Sequence, residues 1–172
     1  RVRIGAAETI AQAWLPDFLA AIHAAHPQAS LDVAIDISVN LRSQLPGRQL
    51  DLAIAMGPLG DPEVIDRPLP AFQLQWLASP SRLPVDLSTV PIITYARQTK
   101  PYREIRDLAL EHNGPDVRLF PSTSLSAAIA LIARGVGVGA FPISLARDEI
   151  AAGTIVPFEH PWQPAALAFT VS

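Results

Sequence analysis

The period of apolar residues changes several times along the first 55 positions. Val2-Arg3-Ile4-Gly5-Ala6 is a short strand candidate. Glu8-Thr9 then opens an alanine-rich segment in which Leu15, Phe18, Leu19 and Ile22 fall at i, i+3, i+4 and i+7, one face of a helix. Thr9 is placed to cap that helix, its hydroxyl accepting from an unpaired first-turn N–H. Pro16, inside the pattern, predicts a kink or a split, and Pro27 forces an end. Ser30 to Asp36 alternates with period two, as a strand with one polar face does. A short helix from Ser38 to about Leu45 is closed by Pro46-Gly47, and Leu50 to Ala55 is nearly continuous apolar chain, as a buried parallel strand requires. The order β-α-β-α-β implies a parallel sheet with right-handed crossovers.

A proline- and glycine-rich connection covers Gly57 to Pro62. Strand candidates follow at Val64–Leu69 and Phe72–Ala78, then a loop from Pro80 to Pro91. A second β-α-β-α-β series begins at Pro91–Tyr95. It runs through a helix over Tyr102–His112 stopped by Asn113-Gly114, a strand at Val117–Phe120, a helix capped by Ser122-Thr123-Ser124 and ended by Gly135, and a strand at Val136–Phe141. A short helix over Ser144–Ala151 and strands at Ile155–Phe158 and Leu167–Val171 complete the pattern. Two β/α lobes imply a cleft between them.

Composition narrows the function classes. Of 172 residues only 17% are charged, against roughly 25% in an average soluble domain. A formal charge of -3 gives no global attraction to nucleic acid. The absence of cysteine removes disulfides, iron–sulfur clusters and thiolate zinc sites. No run is long enough for a membrane helix. With neither an initiator methionine nor a signal pattern at Arg1, the chain is expected to be a piece of something longer or a processed product.

Familiar chemical motifs find no support. Gly135-Val136-Gly137-Val138-Gly139 follows a helix and opens a strand, the reverse of a dinucleotide-binding fingerprint, so Gly137 and Gly139 are read as sites of close strand approach. His23 and His26 read as exposed helix-end residues with no carboxylate at ligand spacing. No serine lies in a nucleophile elbow, and Asp32 and Asp36 read as a solvated strand face. No catalytic residue, metal site or cofactor is expected. The positive signal is the recurrence of Thr9, Ser38 and Ser122 to Ser124 at strand-to-helix junctions, where open α/β sheets bind ligands and helix N-termini favour anions. Among Arg97, Lys100, Arg103 and Arg106, Arg97 lies nearest a strand end and is the better ligand candidate.

The chain resembles the effector-binding domain of LysR-type transcriptional regulators over nearly its whole length. The resemblance rests on Arg3-Ile4-Gly5 with Thr9, Leu15-Pro16, Phe18, Leu19, His26-Pro27, Leu45, and Leu50-Asp51-Leu52-Ala53-Ile54. It continues with Leu77-Ala78-Ser79-Pro80 and with Ile132-Ala133-Arg134-Gly135-Val136-Gly137-Val138 followed by Phe141-Pro142. It implies an α/β, two-lobed, periplasmic-binding-protein-like fold, each lobe a β-sheet flanked by helices. Lobe I would hold 1–77 plus 157–172, and lobe II 78–156. It also implies a small effector, a carboxylate or other anion, in the inter-lobe cleft. The expected contacts are Thr9, Ile10, Ser38 and Met56 from the first lobe. From the second they are Tyr95, Arg97, Tyr102, Ser124 and Phe141. The resemblance further implies a cytoplasmic protein that self-associates as a dimer or tetramer. Ala11–Ala25 and Leu125–Arg134 are the candidate interface helices. Operator DNA would be bound only through an N-terminal winged helix-turn-helix that this chain lacks. Pro46 and the short proline-rich loop after Gly57 depart from the family pattern. A transporter solute-binding protein with the same lobes is the alternative, and an enzyme on this scaffold is a third class.

Overall fold

A computed structural model describes residues 1–172. In chain order the elements are β1 (Val2–Ala6), α1 (Glu8–Ala13), α2 (Leu15–Ala25), β2 (Leu31–Ile35), α3 (Ser38–Gln44), β3 (Leu52–Met56), β4 (Arg67–Pro68) and β5 (Gln75–Ala78). They continue with β6 (Ile92–Thr94), α4 (Lys100–Asn113), β7 (Leu119–Pro121), α5 (Leu125–Ala133), β8 (Gly139–Phe141), α6 (Arg147–Ala151), β9 (Val156–Phe158) and β10 (Phe169–Val171). The fold is α/β and divides into two compact units, residues 1–71 with 168–172, and residues 72–167. Residues 72–77 and 157–167 group with the second unit. The physical reason is pairing: β5 hydrogen-bonds to both β8 and β9, and all three strands lie in the second unit.

The first unit is a five-stranded sheet in the order β2-β1-β3-β10-β4. β1 runs parallel to β2, with Val2 beside Leu31 and Ala6 beside Ile35, and parallel to β3, with Ile4 beside Leu52. This is the predicted β-α-β-α-β arrangement. β10 joins antiparallel, Phe169 opposite Met56. Pro16 splits the first helix: α1 ends at Trp14, and α2 restarts with Pro16 in its first turn, where the missing N–H is no loss. Leu41, Leu45, Leu50, Ala53 and Ala55 pack α3 against the sheet. Gly5 lies beneath Leu41 and Leu50, where a side chain would not fit without moving both.

The face that the helical spacing marked as buried is only partly covered, Leu19 and Ile22 being half-buried. Leu15 is buried, but Phe18 is 42% exposed. The neighbouring edge strand β2 leaves Val33 44% and Ile35 48% exposed. A periodic stripe identifies an apolar face; it does not say whether this chain supplies the cover.

The second unit combines a three-stranded antiparallel sheet, β8-β5-β9, with the parallel pair β6-β7. A parallel bridge between Ile92 and Val138 links them. Its core contains Trp76, Leu77, Leu87, Ile92, Ile93, Ile105, Ile132 and Phe141. α4 starts at Lys100, two residues before the sequence placed it. The Thr99 hydroxyl accepts from the Tyr102 N–H at 3.3 Å, and Pro101 sits in the first turn. The segment after β9 lies along α4. Ala165 N–H donates to Glu104 at 2.8 Å, and Trp162 Nε1–H donates to the Asn113 side-chain carbonyl at 3.2 Å. Trp162 stacks on His112 and meets Trp76 and His160 edge-on.

Candidate functional site

In the first unit, Thr9, Ile10, Ser38 and Met56 gather at the carboxyl ends of the parallel strands. The connections there are short. Ala7 N–H donates to Ile54 O at 2.9 Å, and Asp36 N–H reaches Ala6 O at 3.3 Å, so the three strand ends are tied together. Thr9 does not cap its helix. Ala7 is the N-cap of α1, no side chain caps that end, and Thr9 is buried inside the first turn beside Ile10. The residues before it, Gly5 to Ala7, are small enough for β1 to enter the helix without a polar cap.

Ser38 likewise is the first residue of α3, not its cap. Its Oγ accepts the N–H of Met56 at 2.9 Å and so holds the end of β3 against the start of α3. A hydroxyl that accepts from an amide keeps its own proton to donate elsewhere. The turn into α3 is built by Asp36, whose Oδ1 accepts from Ile37 N–H at 2.7 Å and from the Asn40 amide at 2.9 Å. Asp36 thus has a structural task that an alternating strand pattern did not reveal. α1 and α3 are only six and seven residues long. Their dipoles are correspondingly small, and anion binding here rests on hydroxyl and amide donors.

In the second unit, Tyr95 follows β6 and packs its ring on Phe141 at 4.9 Å between centroids. The Tyr95 hydroxyl is buried and has no hydrogen-bond partner within the chain. Burial pushes its phenol far above the ordinary value, so it stays neutral and keeps its proton. A buried hydroxyl left unpaired costs on the order of 1–3 kcal/mol. Ser144, which nothing in the sequence singled out, carries a second such hydroxyl.

Arg97 is exposed, and its Nη1 donates to the Tyr102 hydroxyl at 3.1 Å, with the guanidinium 5.7 Å from the ring centre. The contact fixes one edge of the guanidinium and leaves its other N–H groups free. Ser124 is the N-cap of α5, accepting from Ala127 N–H at 3.2 Å, while Ser122 accepts from Ser124 N–H at 3.1 Å. Tyr95 with Phe141, and Arg97 with Tyr102, are therefore direct contacts; Ser124 has a capping role of its own. Thr99, the α4 cap, escaped notice, although a threonine one residue before Lys-Pro is a helix-start signal.

The strongest charge pair lies elsewhere. Arg3 makes a two-pronged contact with Asp51, at 2.6 and 3.1 Å, and Arg3 N–H adds a third bond at 2.8 Å. The Arg3 hydrogen bonds pull the Asp51 carboxyl down to about 2. Arg1, Arg3 and Asp51 line a surface hollow at the start of β1, the end opposite Thr9 and Ser38. Arg3 is already paired with Asp51 and Arg1 with Asp32, so both cations of the hollow have partners within the chain, which makes it a poor site for an anionic ligand. No group of three or more His, Asp or Glu side chains is gathered closely enough to hold a metal ion, and no helix is long and apolar enough to cross a membrane.

The family model of the LysR substrate binding domain matches residues 1–171. The chain is 30% identical over 135 residues to the HTH-type transcriptional regulator DgdR of Burkholderia cepacia, covering 78% of this chain and 45% of that protein. The chain thus spans about half the length of its curated relative. Among solved structures, the regulatory domain of MexT, a transcriptional activator in Pseudomonas aeruginosa, superposes with a TM-score of 0.79 at 17% identity. That match covers 99% of this chain and 87% of the other. Full-length LysG of Corynebacterium glutamicum, solved with bound effector Arg, gives 0.79 at 17% identity, covering 99% and 60%. These relatives are transcriptional regulators, which sets aside the reading as a transporter's solute-binding protein. Sheet order, parallel first strands and the family match over 171 positions agree: the chain belongs to the LysR substrate binding domain family, the effector-sensing part of LysR-type transcriptional regulators.

Proposed function

We propose that this domain senses a small anionic metabolite, a carboxylate in the first instance, and reports it to a DNA-binding segment of the full-length regulator. The observation that supports the chemistry is Ser38, whose oxygen accepts from Met56 N–H and whose proton remains available at the carboxyl ends of three strands. Thr9, Ile10 and Met56 are the remaining contacts in the first unit. Tyr95, Arg97, Tyr102, Ser124 and Phe141 are the candidate contacts of the second. The neutral Tyr95 hydroxyl supplies a proton donor that has no partner within the chain. A ligand that binds one conformation better than another shifts the population by its differential affinity, and that difference is the signal.

In this reading the domain catalyses nothing and works in the cytoplasm. Operator DNA is contacted through an N-terminal winged helix-turn-helix, and copies associate through the uncovered face of α2 and β2. Phe18, Val33 and Ile35 on that face favour such burial.

The test is calorimetric titration of a panel of small mono- and dicarboxylates against the parent, Ser38→Ala and Thr9→Val chains. Ser38→Ala also strips Met56 N–H of its partner. A loss of about 1 kcal/mol in stability is expected alongside a roughly tenfold or greater loss of affinity. Unchanged affinity in both variants overturns the assignment of this site.

A further inference from the structure

We propose that the ligand of the first unit is an amino acid, and that Asp36 is the residue that selects its ammonium group. The inference rests on the carboxylate reading of Ser38 and Thr9 and narrows it to one class of carboxylate.

β1 and β2 end side by side, with Ala6 beside Ile35, and Asp36 N–H reaches Ala6 O at 3.3 Å. The junctions into α1 and α3 are therefore neighbours. One carries Thr9, and the other carries Asp36 and Ser38. Thr9 is 5% exposed, and its hydroxyl makes no hydrogen bond within the chain. Ser38 Oγ takes Met56 N–H and keeps a proton to donate. These hydroxyls serve a carboxylate and do not read the rest of the ligand.

Asp36 can. It is half-buried, and both of its hydrogen bonds fall on one oxygen. Oδ1 accepts from Ile37 N–H at 2.7 Å and from the Asn40 amide at 2.9 Å, while Oδ2 accepts from nothing in the chain. A side chain that only had to build this turn needs a single acceptor oxygen, which asparagine supplies equally well. The second oxygen and the charge are surplus to the turn. No arginine of the first unit pairs with that charge. Arg1 is held by Asp32 and Arg3 by Asp51, at the opposite end of β1, and Arg42 lies in the last turn of α3.

A simple carboxylate drawn to Thr9 and Ser38 thus meets a fixed like charge two residues from Ser38, and is repelled. An ammonium group on the same ligand reverses the sign. It donates to Asp36 Oδ2 while the carboxylate accepts from the hydroxyls, and half-burial shields the pair from full screening. In an α-amino acid both groups sit on one carbon, which suits an acceptor and a donor carried two residues apart. Asn40, by holding Oδ1, is a positioning residue for this contact.

The experiment is calorimetric titration of the 172-residue chain with matched pairs, each common amino acid against the carboxylate that lacks only its amino group, such as alanine with propionate and phenylalanine with phenylpropanoate. The amino acid that binds best should exceed its counterpart by at least about tenfold, as expected for a charge-assisted hydrogen bond. Asp36→Asn keeps the Oδ1 acceptor and the turn. It should bring the two members of the pair within about twofold of each other, with the counterpart binding no worse than before. Ser38→Ala should weaken both members by the same factor. A merely structural Asp36 would instead lower both members alike in Asp36→Asn and leave their ratio intact. That result, or an unsubstituted chain that binds the counterpart as tightly as the amino acid, overturns the proposal; the second needs no variant to fold. Binding of simple carboxylates without preference, lost in Ser38→Ala, would uphold the effector reading and overturn this one. Binding of neither member of any pair would overturn both.

Discussion

Gly139 sits where the second unit can least accommodate a side chain. A Cβ built there would lie 2.7 Å from the Ile93 carbonyl oxygen, 2.5 Å from the Phe141 ring and 3.1 Å from Ile132, while ordinary contact begins at 3.4 Å. Ile132 can turn aside, but the Ile93 carbonyl is backbone and Phe141 is fully buried. Relief requires β6 to retreat from residues 137–139. That movement lengthens two hydrogen bonds, Ile93 N–H to Val138 O at 2.7 Å and Val138 N–H to Pro91 O at 3.0 Å. Overpacking costs about 1–3 kcal/mol and each weakened bond up to about 1 kcal/mol, so Gly139→Ala should lose about 3 kcal/mol. For a chain of this size the midpoint of thermal unfolding should fall by about 6–12 °C. Urea unfolding followed by tryptophan fluorescence is the assay, because Trp76 pairs with Ala140 beside the site. Gly47→Ala is the control. There φ is not positive and the new methyl group would meet nothing nearer than the Gln49 side chain at 4.0 Å, so the change should be neutral or slightly stabilising. If Gly139→Ala costs no more than Gly47→Ala, close strand approach is not the reason for glycine at this position.

Two further outcomes concern pH. Asp51 is depressed in the folded chain from 3.8 to about 2 by Arg3, so the unfolded chain binds its proton first. Its contribution is present above pH ~4 and is lost as the pH falls toward 2; Asp51→Asn should flatten acid unfolding monitored by circular dichroism, and an unaltered acid limb refutes it. His160 is also depressed, by burial and then by His112 across Trp162. Stability should therefore decline as the pH falls below about 6.5, the ordinary value for histidine, with the urea midpoint following. His160→Gln should remove that slope, and a slope that persists would place the titration elsewhere.

The elements legible in the sequence were those fixed by local sterics or by a strict period. Pro16 divided the first helix because its ring permits only a first-turn position. Leu50–Ala55 read as a buried parallel strand, and the strand Leu52–Met56 forms there with its three central residues buried. The Gly135–Gly139 run read correctly as helix end and close approach from its order alone. What escaped depends on contacts far along the chain. Thr9 looked like a cap, yet the β1–α1 turn needs none. The hydroxyl of Ser38 answers to Met56, eighteen residues away, and Asp36, read as part of a solvated strand face, builds the turn into α3. The stripe through Phe18 predicted burial that this chain does not supply. Of the candidate site, residue identities at strand ends could be read, but which hydroxyls were already occupied could not.

The strand order of the first unit has a consequence for how the chain is made. β10 lies between β3 and β4, pairing Val171 with both Ile54 and Arg67, and Ser172 exchanges two backbone hydrogen bonds with Ala53. The strands on either side of it emerge from the ribosome before residue 72, whereas β10 follows only after the whole of 72–167. Until then β3 presents an open edge and β4 has no neighbour. Synthesis therefore completes the later unit first, as one contiguous segment, and the earlier one last. A chain released after residue 167 should hold a protease-resistant second unit attached to a first unit that is still susceptible.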